Sequence, residues 1–513
     1  MRTANRRGAE NDRDYGSTQR RGLCACICLL LIPALAACAD DLIPEHGKYS
    51  QTYQSDWATL PDGRELARHD LTGVTLAQVR GEEARQTFVE QPEVTLSGQR
   101  LEVTWESPEC DKYKHTLYYF RKCGTVRIED MVIVQPQADW RASSTFFFES
   151  CGRVEIRNCY LAGAPGRAFI RIEGCRDYFI DRVEIAGIRA ADTGGYRCGP
   201  GIFVNNGAGL QEDGVQRYVS APDPYDLHWG VIQNSWFHDY EPTPEVLNHD
   251  AILFHAPADG IVFNCRFDNW EGDAAIDDSH RRDDAGYQNH LHRIERCIFD
   301  RCHRAKTNGA SGSPSCALLW CNNLYVDTSL TDYHFGWPNW RVNETYVYTD
   351  NRPSYFLVMH CREGKALLRN CLMHAPLSVK YMYETMGETT DQDIHLIDPD
   401  WFMYFVGAPV MWLHARSGNS EEIESWEQWR AAGFDAHSTL TDADPGFVDA
   451  AAGDYRLRPD SLAVGAGTPD TLRPDGIRPP VTVDFFGRPR PDPPSCGAFE
   501  VARDAGEEGA RVE

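Results

Sequence analysis

The sequence predicts an all-β solenoid, a chain wound in successive coils of short parallel strands, with a cap before it and an extension holding a short helix after it. Three observations predict this. A hexad of the form apolar, any, any, small or polar, any, apolar recurs nine times between 128 and 373. Its starts lie 23 to 32 residues apart, with one step of 52, which is the spacing of stacked repeats. Helical periodicity is absent from this stretch, and turn residues separate the apolar runs.

The elements follow in chain order. Arg20-Arg21 precede an apolar run from Leu23 to Ala37 broken only by Pro33. The run is short for a membrane span and suits the core of a signal peptide. It ends Leu35-Ala36-Ala37-Cys38, which resembles the lipobox of bacterial lipoproteins. The resemblance implies cleavage before Cys38, lipidation of that residue, and a place in the cell envelope or secretion. Residues 38–125 carry Trp57 and Trp105 but no clear hexad, and are expected to cap the open end of the solenoid, whose edges need cover. The hexads are Ile128–Ile133, Ile156–Leu161, Ile180–Ile185, Ile232–Phe237, Val262–Phe267, Ile294–Phe299, Leu319–Leu324, Val342–Val347 and Leu368–Met373. The step of 52 is either two periods or one carrying an insertion near 207–229. Upstream of most hexads stands a second short strand with period-2 alternation, for example Ala168–Ile172, Ala251–His255 and Ala275–Ser279. Residues 126–375 are thus the solenoid and 376–500 its continuation and C-terminal cap. A helix is expected at 420–432, capped by Ser420. Residues 501–513 read as a disordered acidic tail.

Composition narrows the function. The chain of 513 residues has net charge -25. Without residues 1–37 it keeps 45 basic and 73 acidic residues, net -28. Such a surface excludes a nucleic-acid partner, which needs a concentrated positive field. An anionic substrate would need a local basic patch or bound cations. Of 18 Cys, four belong to the signal and lipobox and fourteen remain. Asn158-Cys159, Asn234-Ser235, Asn264-Cys265 and Asn370-Cys371 occupy one place in the repeat, so Cys159, Cys265, Cys297 and Cys371 read as stacked packing residues. Cys151 and Cys175 are one coil apart and near enough to bond.

This pattern resembles the right-handed parallel β-helix of the pectate-lyase-like superfamily over residues 126–375. The likeness speaks for fold, because function lives in the site. With Ile170, Ile202, Ile252, Ile276, Ala305 and Tyr333 set inward, the next residues face out: Arg171, Phe203, Leu253, Asp277, Lys306 and His334. The groove so formed gathers His249, Asp250, His255, Asp273, Asp277, His303, Arg304, Lys306 and His334, with Trp337 and Trp340 as walls.

Three readings of that groove are open. Asn248-His249-Asp250-Ala251-Ile252 and Gly272-Asp273-Ala274-Ala275-Ile276 resemble two strands of polygalacturonase-type glycoside hydrolases, and His303 falls near their Gly-His-Gly histidine. That resemblance implies Asp273 as acid, Asp250 as the base activating water, and His303 as support. Ala274 replaces a second Asp, and Cys302 and Arg304 replace the glycines. A polysaccharide lyase would instead use Lys306 as base, with Arg304 or a Ca²⁺ ion neutralising a uronate. Asp273, Asp277, Asp278, Asp283 and Asp284 supply hard oxygen for Ca²⁺, but no calcium loop of fixed spacing is present. The alternative is a non-catalytic, glycan-binding or adhesive scaffold. His290 and His292 lack a zinc-ligand set, so no metal ligands are assigned. Polysaccharide is the expected partner in all three readings.

Overall fold

This computed structural model describes residues 69–105, 116–136, 144–164, 166, 168–188, 201–205, 208–212, 215–219, 229–242, 249–254, 259–278, 291–308, 317–329, 332–334, 339–349, 355–359, 366–377, 379–385, 397–407, 410–415, 422–471 and 481–501. Among them the chain is a parallel β-helix. A first sheet of 12 strands runs from Gln86–Val89 to Met411–Ala415. A 22-stranded sheet supplies the other two walls as a second and a third column of strands. The long strands Arg153–Gly163 and Asp177–Ala186 run through both columns. Parallel pairing starts at Ala77, within the stretch expected to be a cap, and in the third column it reaches Thr441. Strands Asp177–Ala186 and Trp229–Gln233 pair directly, with Ile180 opposite Ile232. The 52-residue step is therefore one coil with an insertion, which contains the hairpin Ala208–Glu212 and Val215–Val219.

The corner between second and third columns explains the Asn-Cys dipeptides. Asn158, Asn234, Asn264, Asn322, Asn343 and Asn370 all have φ between 51° and 67°. Asn tolerates this left-handed conformation better than most residues. The residue that follows sits on the interior side of the turn, where its side chain meets the previous coil's backbone. The Cys265 N–H donates to Cys297 Sγ at 3.5 Å, the Cys297 N–H to Asn323 Oδ1 at 2.7 Å, and the Asn323 N–H to Glu344 Oε1 at 3.1 Å. Small or polar side chains recur here because each satisfies a backbone donor at the turn. All ten described cysteines are buried free thiols. Between Cys151 and Cys175 there is a hydrogen bond from the Cys151 N–H to Cys175 Sγ, 3.4 Å long.

Aromatic rings stack through the bore at the rung spacing. Phe237, Phe267, Phe299, Tyr325 and Tyr346 follow one another at centroid separations of 5.0, 4.9, 5.0 and 4.8 Å. Offset stacking of this kind adds about 1 kcal/mol per pair to the burial of the rings.

Two coils depart from the predicted register. Trp320 pairs with Ile294, and Arg341 with Trp320 and Leu368. The interior residues are therefore Trp320, Tyr325, Arg341 and Tyr346, rather than the hexad positions of Leu319, Leu324, Val342 and Val347. Those four lie one place off, on the outside. The bore is correspondingly polar there. Arg341 sits 5.0 Å from the Trp320 ring, and Tyr325 Oη donates to Glu344 Oε2 at 2.5 Å. Burial pushes the Glu344 carboxyl up to about 7 despite Arg341 and the donors around it.

The C-terminal region covers the outside that the slip makes apolar. Phe447, Tyr455, Leu457, Phe485 and Phe499 pack on Ile298, Leu324, Val347, Leu372, Met403 and Phe405. Ala498 N–H donates to Thr345 Oγ1 at 2.8 Å and Gly497 N–H to the Asn370 carbonyl at 2.7 Å. The expected helix is shorter than predicted, Trp426–Ala431, and Ser425 caps it by accepting from Gln428 N–H at 3.2 Å. Ser420 lies outside the described residues. Trp429 from this helix stacks on Tyr383, closing the C-terminal end of the bore. No described helix is long and apolar enough to cross a membrane.

Candidate functional site

The first sheet carries the site. Register confirms one outward column through Arg171, Phe203, Leu253 and Asp277. Asp250 begins strand Asp250–Phe254, and Ala274 lies opposite it one coil on. The Ala274 N–H donates to Asp250 Oδ1 at 3.1 Å, and the Asp273 N–H to the His249 carbonyl at 2.8 Å. Gly272 permits this approach, because a Cβ there would stand 2.2 Å from the His249 oxygen. Trp270 Nε1 donates to the same oxygen at 3.2 Å, and Tyr240 packs against the His249 ring. The local sequence thus lays Asp273 beside Asp250, with backbone N–H groups and the Trp270 ring fixing the approach.

Charge decides what these carboxyls can do. Asp250 is 3 % exposed. Its carboxyl is held well above the ordinary value, first by burial, then by the charges of Asp277 and Asp273. Asp273 makes an ion pair with Arg304 from the next coil, and both are partly exposed. His303 is exposed at the rim. Partial desolvation and then the Arg304 charge hold its imidazole below its usual value, against the pull of Asp273 and Glu271. Asp250, Asp273, Asp277, His303 and Arg304 are therefore together, as expected. Glu271, which the sequence reading passed over, joins them two residues before Asp273.

Lys306 and Trp340 require correction. Lys306 pairs with Ile276, and Asp277 with Thr307. This one-residue shift turns Lys306 into the bore, where it is fully buried with Nζ 5.2 Å from the Trp320 ring. It cannot meet a substrate in the groove. Thr307 in turn pairs with Tyr333, so Asn308 rather than Lys306 stands opposite His334. Trp340 belongs to the second column and packs with Cys321, Val342, Leu367 and Val481. It walls no groove on the first sheet. His255, Trp337 and Cys38 lie outside the described residues, as do Asp283 and Asp284, and the side chains of Asp278 and His334 are not described. Among the described residues no group of His, Cys, Asp or Glu is arranged to hold a metal ion.

No protein-family model matches the chain, and no curated protein matches it in sequence.

Proposed function

We propose that the chain cleaves a polysaccharide by hydrolysis on the outer face of the first sheet. One observation carries this reading: Asp250 and Asp273 stand side by side in unlike surroundings, the first buried and facing other acids, the second ion-paired with Arg304. Asp250, buried and facing two other acids, keeps its proton at pH values where an ordinary Asp has lost it. Asp273 stands beside the Arg304 guanidinium instead. A glycosidase needs such a pair, an acid to protonate the leaving oxygen and a carboxylate to activate water. The roles are then the reverse of those the sequence resemblance implies. Asp250 is the acid and Asp273 the base, with Arg304 a positioning residue. Asp277 keeps Asp250 protonated, and His303 at the rim contacts the sugar. The lyase reading loses its base because Lys306 lies in the bore. Lipidation at Cys38 would hold the enzyme in the cell envelope.

A panel of plant, algal and animal polysaccharides tests this, read for reducing ends and for ultraviolet absorbance. New reducing ends without absorbance, lost in both Asp250→Asn and Asp273→Asn, support the proposal. Absorbance would mean elimination and overturn it. Glycan binding with no release in any member would replace it with the scaffold reading.

A further inference from the structure

A second polar cluster lies away from the groove, on the outside of the third column. Glu184 lies near the end of strand Asp177–Ala186 and receives three contacts. The His69 backbone N–H donates to Oε2 at 2.8 Å, His69 Nδ1 lies 3.0 Å from the same oxygen, and His238 Nε2 lies 3.1 Å from Oε1. The other nitrogen of His238 reaches Asp239 Oδ2 at 2.8 Å. Trp236 stacks on the His238 ring with centroids 3.8 Å apart and donates to Asp268, whose carboxylate is held by Arg266. Tyr160 borders His69 from the neighbouring rung, 6.0 Å between rings. Asp70, exposed beside His69, bonds to Thr72.

These contacts tie down a strap. His69 sits at the level of strand Asp177–Ala186, yet residue 77 begins the first rung of the third column. Four rung steps separate them, about 19 Å at the usual strand spacing. Eight residues reach at most about 28 Å, so residues 69–76 can run back along the column and still include one turn, where the Val74 N–H donates to the Leu71 carbonyl at 3.0 Å. Leu71, Val74 and Leu76 are half-buried on this path, while Asp70, Thr72, Gly73 and Thr75 are exposed. So few apolar contacts leave the Glu184 cluster as the main fastening.

We propose that His69, Glu184 and His238 form a proton-operated latch, closed in mildly acidic surroundings and loosened in alkaline ones, that holds residues 69–76 against the solenoid. The argument is one of donors. His238 places each ring nitrogen against a carboxylate, and a carboxylate only accepts. A neutral imidazole has one N–H and can serve one of them; only the imidazolium serves both. Loss of the proton removes a charge-assisted bond and sets Glu184 against Asp239 across an uncharged ring. The electrostatics agree in direction. Although burial opposes both charges, the bonds from His238 and His69 keep Glu184 down at about 2, and Glu184 and Asp239 raise His238. A histidine raised on folding contributes stability that is complete below its unfolded value and lost as pH rises through its folded value. A carboxylate lowered on folding contributes above its unfolded value and fails only in strong acid. The latch is therefore tightest between about pH 4.5 and 6.5.

Hydrogen exchange of the full chain, read by mass spectrometry and corrected for intrinsic rates, tests this. Protection of amides 69–76, led by the His69 N–H that Glu184 accepts, should fall about tenfold from pH 6 to pH 9, while strand Asp259–Phe263 keeps its protection. In His238→Gln the strap should be weakly protected at both pH values. Equal strap protection at pH 6 and pH 9 in the wild-type chain would overturn the latch, and needs no variant to fold. Retention of the wild-type pH dependence in His238→Gln would overturn it as well.

Discussion

Replacing Glu344 by Gln should make the protein less sensitive to pH, and the size of the effect follows from its surroundings. Glu344 lies wholly inside the bore, accepting from Tyr325 Oη at 2.5 Å and from Asn323, with Arg341 3.9 Å away. Its folded value of about 7 stands above the ordinary 4.5 of a free glutamate. An acid raised on folding stabilises fully below its unfolded value and loses that contribution as pH climbs through the folded one. Moving from 4.5 to about 7 means that about 3 kcal/mol of that contribution is withdrawn between pH 4 and pH 8. Gln keeps the shape and the acceptor oxygen but never ionises. Urea unfolding followed by Trp fluorescence at both pH values measures the difference. The variant's stability relative to wild type should improve by about 3 kcal/mol on going from pH 4 to pH 8. The comparison between the two pH values matters, because any packing defect of the Gln side chain is present at both and cancels. A relative stability that does not change with pH would refute the claim that burial outweighs Arg341 at this site.

Two further outcomes test the frame that positions the groove. Gly272→Ala drives a methyl into the His249 carbonyl and should lower stability by about 2 kcal/mol, seen as a fall in Tm, with groove chemistry impaired before the fold is lost. Asn264 has φ 67° and donates to Asn234 Oδ1 at 2.6 Å. Asn264→Ala should therefore cost about 1–2 kcal/mol, and Asn264→Gly distinctly less; equal losses in denaturant midpoints would show that the left-handed turn is not what Asn264 supplies.

Much of the wound ribbon was legible in the chain because its signal repeats. Asn158, Asn234, Asn264 and Asn370 mark one corner, and the apolar residues on either side mark the strands that meet there. The outward column Arg171, Phe203, Leu253 and Asp277 followed from period-2 alternation. That same alternation misplaced Lys306, Leu319 and Val342. A strand covered on both faces has apolar residues on both, so a slip of one position leaves the pattern intact while inverting it. Nothing local says that Leu324 and Val347 lie under residues near 450–500, or that Trp320 and Arg341 share the bore with Lys306. The acid cluster was found, but the raised carboxyl of Asp250 was not, since burial and the charges of Asp277 and Asp273, all products of folding, lift it. Glu184 and His238, 54 positions apart, carry no shared motif at all.

The closing segment binds late to early work. Thr468, Val483, Arg490 and Ala498 fasten to Asn370, Asn322 and Thr345, between 98 and 168 positions behind them. A chain emerging from its N-terminus winds most of its rungs before this seal exists. Until Phe447, Tyr455, Leu457, Phe485 and Phe499 are in place, Ile298, Leu324, Val347, Leu372, Met403 and Phe405 form a greasy stripe open to any neighbour. A chain ending before Phe447 would still coil, yet the bare stripe would make it clump, so solubility depends on this seal.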